Sequence, residues 1–378
     1  DLHSFPTRRS SDLLVIDINA DNATVSDVTL DNVNGTAVNS NATNNITNVD
    51  VIGGDVTPGD VPAEEISYSA GLIIPEDVHV GDNVTVTITG VTGDFVVIVD
   101  GEVINVTGNV FTLNNVTRGT HNITVIYNGK PTDESFNARD YSFTDLQKLI
   151  DEAAETGEPV VLDHDYVFQD GDKPITVPSN VVIDGNNHTI DAGNQSSIFN
   201  VDGSNVTIKD LDLNNAVDGA IVANGNNITI SGVDVTNSTG VAIDVSGENT
   251  TINDVNLNNV EDGIVVDGTG TANVNGVVVN NATGAALNVT ADSVNVSDID
   301  MINVTRGADI TATTGDANVS DITAIDVDGD AVVVSAENGT ADVSGVDVSD
   351  ADGTGLDVTG KDVTISNTNV TDAGEGIK

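Results

Sequence analysis

From residue 206 onward the chain repeats itself about every 22 residues. An apolar residue in the same strand-like setting falls at Ile208, Ile230, Ile252, Val274, Val296, Val319, Val343 and Ile365, at intervals of 22, 22, 22, 22, 23, 24 and 22. A period of this size is the signature of a solenoid. One repeat is a single supersecondary unit that cannot bury its apolar face alone, so stacked neighbours must supply the core. A chain built this way presents long repeating faces.

The repeat Val206–Asn227 reads VTIKDLDLNNAVDGAIVANGNN. Its first half alternates apolar and polar residues through Val206, Ile208, Leu211 and Leu213, and its second half carries Ala220 and Val222 around Ile221. These short period-2 stretches read as strands. Two further apolar columns run through Leu211, Val233, Val255, Val277 and through Leu213, Val235, Leu257, Val279. Two residues on, a polar column reads Asn215, Asn237, Asn259, Asn281, Asn303, Asp326, Asp350, Asp372. Asn and Asp tolerate a left-handed backbone better than other side chains, and stacked Asn residues can bond to one another along the stack. A coil of this length with short strands and an Asn corner predicts an all-β fold, a right-handed parallel β-helix of the pectate-lyase type. Leucine-rich repeats need a regular Leu frame, and calcium-roll repeats need glycine-rich nonapeptides. Neither pattern is in the sequence.

The rest of the chain divides by pattern. The string HSFPTRRSSDL (His3–Leu13) resembles a translated sequencing adapter, so residues 1–13 are set aside as an artefact, the chain being read as a metagenomic fragment. Residues 14–56 repeat the solenoid grammar and are expected to be terminal coils of an upstream β-helix. Residues 57–65, with Pro58 and Pro62, read as a linker. Residues 66–132 lose the period and show longer alternating runs such as NVTVTITG and THNITVIYNG, which predict a small Ig-like β-sandwich. Residues 133–160 hold a linker and a capping helix. There Thr144 and Gln147 form the expected capping box, Leu146, Leu149, Ile150, Ala153 and Ala154 the apolar stripe, and Gly157 the stop. The main β-helix is expected over 161–378, with the helix covering its first coil.

Charge narrows the function. The chain carries 60 acidic and 11 basic residues, a net charge of −49. A nucleic-acid partner needs a basic stripe, so that class is excluded, as is attraction to anionic lipid. With no cysteine, disulfide scaffolds and thiol chemistry are excluded too. No apolar run is long enough to span a bilayer, so no direct membrane insertion is expected of this stretch. The N-x-[ST] sequon occurs 21 times. Several of these Asn residues fall on the polar column, expected to face inward, so N-glycosylation is expected at a minority of sites, chiefly in the sandwich.

Candidate chemistry is sparse. Asp163, His164 and Asp165 form the nearest thing to an acid/base cluster, and His188 falls in a turn signature, DGNNHT. The basic residues Lys173, Lys209, Arg306, Lys361 and Lys378 share no recurrent column, so no cleft is expected to bring a lysine or arginine together with two carboxylates. Asp326, Asp328 and Asp330 make a D-x-D-G-D run. It reads first as an acidic turn, and its functional reading is a calcium site. No other cofactor is expected, and no catalytic residue is assigned.

The segments FTDLQKLIDEA (Phe143–Ala153), VVIDGNNHTIDAGNQSSIFNV (Val181–Val201) and VTIKDLDLNN (Val206–Asn215), with NVTVTITG and GTHNITVIYNG, resemble the adhesin-like surface proteins of methanogenic archaea. The resemblance spans nearly all of the chain after residue 14. It implies a non-catalytic extracellular protein of the cell surface, whose partners are glycans or surface proteins of a host or of neighbouring microbes. The alternative on the same fold is a carbohydrate-active enzyme, a polysaccharide lyase or hydrolase.

Overall fold

The computed structural model describes residues 14–19, 23–40 and 44–378, and these form two compact units divided between Asp140 and Tyr141. The adapter-like segment 1–13 lies outside the described residues.

The second unit is a parallel β-solenoid. Its coils pair in register along the chain: Ile183 with Ile208, Ile208 with Ile230, Val274 with Val296, Val296 with Val319, and Val319 with Val343. The apolar columns read from the sequence are its interior. Ile208, Leu211 and Leu213, with their counterparts through Val343, Val346 and Val348, are all essentially inaccessible to solvent. Full burial of one such side chain stabilises by roughly 1.5–3 kcal/mol, so every added coil brings its own share of core. The second half of each repeat differs from expectation by one residue. Strand Ile221–Ala223 buries Ile221 and Ala223 and turns Val222 outward.

Left-handed residues make the corners. All eight members of the Asn215–Asp372 column have φ between 50° and 61°. A second column of this kind runs through Asn180, Asn205, Asn227 and Asn249, and a third alternates Asp210, Gly232, Asp254, Gly276 and Asp298. Another tight corner is a stack of glycines. A Cβ on Gly225 would lie 1.8 Å from the Gly203 carbonyl oxygen, and one on Gly247 would lie 2.2 Å from that of Gly225. No side chain fits that approach.

A single helix, Phe143–Thr156, precedes the first coil. It buries Phe143, Leu146, Ile150 and Ala153 against the solenoid core, whereas Leu149 and Ala154 stay exposed. Its capping box is formed by Ser142 and Asp145. Ser142 has the extended backbone an N-cap needs, and its hydroxyl accepts from the Asp145 amide. Thr144 and Gln147, the expected pair, are used otherwise. Thr144 donates to Asp172 at 2.6 Å, and the Gln147 amide takes both backbone bonds of Thr176, at 2.7 and 3.0 Å. Gly157 closes the helix at φ 76° as expected.

The first unit holds two structures. Parallel pairing links Leu14–Ile18, Asn34–Ser40 and Asp55–Gly59, and separately Thr24–Asp31, Asn45–Ile52 and Ile66–Ser69. The solenoid coils therefore run through residues 57–65, expected as a linker, to Ser69. Pro58 is accommodated because Asp55–Gly59 is an edge strand of its sheet, and Pro62 lies outside the strands. Two antiparallel-rich sheets follow, one of five strands and one of three, around a core of Val84, Val86, Ile88, Val97, Ile123, Val125 and Phe136. This sandwich extends to Lys130–Arg139, beyond the expected boundary at 132.

Candidate functional site

The corner ladder is the most regular polar feature of the solenoid. Asn237 Nδ2 donates to Asn215 Oδ1 at 3.2 Å, Asn259 to Asn237 at 3.5 Å, Asn281 to Asn259 at 3.2 Å, and Asn303 to Asn281 at 2.6 Å. Its first member, Asn215, donates to Asp191 at 2.9 Å. The ladder faces outward, contrary to the expectation that it points inward: Asn237, Asn259, Asn281 and Asn303 are exposed, and the following residue is buried. In the left-handed conformation the corner residue directs its Cβ away from the core and hands the next position to the interior.

At Asp326 the ladder chemistry stops, because a carboxylate has no proton to donate. Asp326 is exposed at the corner with φ 60°. Asp328 is exposed in the following turn, and Asp330 accepts the Thr354 amide of the next coil at 2.6 Å. Asp326, Asp328 and Asp330 do not bring ligand oxygens within 4.8 Å of one another. Asp330 is committed to holding the neighbouring coil.

The first coils of the second unit gather the titratable groups of most chemical variety. His188 Nδ1 lies 3.0 Å from Asp165 Oδ1, which also accepts the Thr189 amide at 2.9 Å. His164 lies 2.7 Å from Asp163, and its ring sits 4.1 Å from that of Tyr141. Lys209 Nζ bonds Asp184 of the preceding coil and Asp210 at 3.0 Å. That triad brings one lysine to two carboxylates on an outward, partly exposed face. Residues 185–187 form a bulge that lengthens the coil, so Asp184 and Lys209 share a column although they lie 25 residues apart.

Environment sets these carboxyls apart. Desolvation pushes Asp165 up, but the Thr189 amide and His188 outweigh it and hold its carboxyl below the usual range. Desolvation, then Asp234 and Asp165, push Asp212 up. Lys209 holds Asp184 low and is itself raised by Asp184 and Asp210. Carboxyls driven in opposite directions are the raw material of acid/base chemistry. Here they stand on the outward face of a sheet, with side chains of Lys209, Asp184 and Asp210 between 27% and 47% exposed.

A shallow depression of about 450 Å³ lies further along the solenoid, lined by Gly276, Val278, Asp298, Asp300, Asp321, Thr323 and Gly345. It opens where the Asp/Gly alternation at the third corner breaks. Asp298 and Asp321 are consecutive there, and Gly276 and Gly345 leave the space on either side empty.

No family model and no curated protein matches the chain. A solved structure described as L. reuteri 53608 SRRP is 14% identical, with 63% of this chain and 98% of that one covered and a TM-score of 0.36. The structure of sacteLam55A from Streptomyces sp. SirexAA-E is 13% identical over 89% of this chain and 59% of that one, with a TM-score of 0.26. Its E502A variant in complex with glucose is 12% identical over 93% and 67%, also at 0.26. Likenesses this low carry no argument about activity, so function rests on the chain's own residues.

Proposed function

We propose that this chain is part of an adhesin-like protein of the cell surface, whose solenoid faces bind glycan or protein ligands without transforming them. One observation carries the reading. Hydrogen-bonded Asn ladders fix successive coils in register, so identical polar groups recur on the outer faces at one-coil spacing, about 4.8 Å. Such a preorganised array binds by many weak contacts at little entropic cost. Partners of the nucleic-acid class are excluded by the net charge of −49, and no described helix is long and apolar enough to cross a membrane.

The second reading, a carbohydrate-active enzyme, is favoured by the oppositely shifted carboxyls at Asp165 and Asp212, with His188 bonded to Asp165. The test is retention of the full chain on arrays of polysaccharides and surface proteins, alongside a variant with Ser231→Glu and Ser320→Glu on one outer face and a variant with Thr236→Glu and Thr290→Glu on others. The adhesin reading expects saturable retention of at least one ligand, weakened by one pair and not the other. Absence of saturable retention across the arrays overturns it.

A further inference from the structure

The sequons divide sharply once the fold is known. On the solenoid most of their asparagines are engaged, and Asn187 and Asn288 lie within strands. Asn227, Asn237, Asn249, Asn281, Asn303 and Asn318 each donate the side-chain amide to the preceding coil, at 2.9, 3.2, 3.4, 3.2, 2.6 and 2.9 Å. The hydroxyl residue of each of these sequons lies within a paired strand. A glycan on one member would crowd the next, about 4.8 Å away.

Two sequons in the sandwich are different. Asn105-Val106-Thr107 follows strand Glu102–Ile104, and Asn115-Val116-Thr117 joins strand Val110–Leu113 to strand Gly119–Tyr127. All six residues lie outside strands, and Asn105, Thr107, Asn115 and Thr117 are exposed. Neither side-chain amide has a hydrogen-bond partner among the described residues. Asn115 is left-handed at φ 51°, and its backbone amide is satisfied by Asn83 Oδ1 at 3.0 Å. Other described sequons fail one condition. Asn83 leads straight into strand Val84–Thr89, Asn122 sits within a strand paired on both sides, and Ser196 of the Asn194 sequon is buried.

We propose that Asn105 and Asn115 are the N-glycan acceptor sites of the folded chain. The donor is a lipid-linked oligosaccharide and the partner an oligosaccharyltransferase. Nδ2 bonds to the anomeric carbon, the bond from that carbon to the lipid phosphate breaks, the phosphate leaves with the electron pair, and the Nδ2 proton passes to a base of the transferase. Thr107 and Thr117 supply the hydroxyls the sequon requires. The inference stands apart from the ligand-binding reading and needs no ligand for its test.

The full chain is produced in a secreting eukaryotic host whose transferase reads N-x-S/T, and secreted and cell-retained fractions are mapped by glycopeptide mass spectrometry. Asn105 and Asn115 are expected to be occupied in most secreted molecules and the ladder asparagines in at most a small minority. Thr107→Ala and Thr117→Ala should each remove one glycan mass while leaving the asparagine, and the left-handed backbone of Asn115, in place. Glycans on ladder asparagines confined to the retained fraction agree with the proposal. It is overturned if secreted chains carry ladder glycans, if they carry none at Asn105 and Asn115, or if no chain free of ladder glycans is secreted.

Discussion

Asn281 offers the most direct probe of the ladder, because it donates to Asn259 at 3.2 Å and accepts from Asn303 at 2.6 Å with φ 57°. Replacing it by Ala removes two hydrogen bonds, each worth about 0.5–1.5 kcal/mol and nearer the low end at an exposed site. Ala also pays for the left-handed conformation, at about 1–2 kcal/mol. Asn281→Ala should therefore cost about 2–4 kcal/mol in total. Asn281→Gly loses the bonds but keeps the backbone, so it should cost about 1–2 kcal/mol. Asn281→Asp keeps the acceptor and the backbone tolerance and should fall near Gly. Solenoids need not unfold in one step, so hydrogen exchange of the amides in the flanking coils is the suitable assay, with a double-mutant cycle between positions 281 and 303. The order Ala worst, Gly and Asp milder, with nonzero coupling to Asn303, is expected. Equal costs for Ala and Gly would remove the conformational argument, and zero coupling would remove the ladder bond.

Further expectations concern packing, charge and pH. Ile150→Ala on the helix should cost about 2–5 kcal/mol and open the first coil to exchange before the last, since its side chain is fully buried against the solenoid core; uniform loosening along the coils would contradict a capping role. Asp326, Asp350 and Asp372 repeat at about 4.8 Å, where like charges repel by about 1 kcal/mol in water, so calcium or molar sodium chloride should raise the melting temperature of the last coils. Equal effects would mean screening alone, and no effect would mean the column is not strained. In the sandwich, His121 is raised by its bond to Asp100, 2.7 Å away, and by the Thr117 carbonyl. Its contribution is full below the unfolded value of about 6.5 and is lost as pH rises through the folded value. Sandwich stability should therefore decline with rising pH in that window, and His121→Gln should flatten the decline; a rise in stability across the window would refute the pairing.

What the sequence made legible was whatever repeats. The interior columns at Ile208, Leu211 and Leu213 and the left-handed corner at Asn215 recur with fixed spacing, so chemistry at one coil could be checked against the next. The side of the sheet on which the ladder lies was not legible, because both ends of a short polar stretch alternate equally well. It is settled by which neighbour, Ala282 or Asn281, the left-handed turn sends inward. The Asp184–Lys209–Asp210 triad was hidden by the bulge at residues 185–187, which shifts the column by two. The cap at Ser142 was missed because Thr144 and Gln147 offer the same spacing two residues later, and only tertiary partners, Asp172 and Thr176, decide between them.

The claim that this surface binds without transforming is tested most directly by following product formation on whichever polysaccharide the full chain retains. Soluble fragments and new reducing ends would be measured over a broad pH range. The account predicts retention with no accumulation of fragments, and the same retention for Asp165→Asn and Asp212→Asn. Fragment release that either substitution abolishes would contradict it, and would assign the cluster of Asp165, His188 and Asp212 to catalysis.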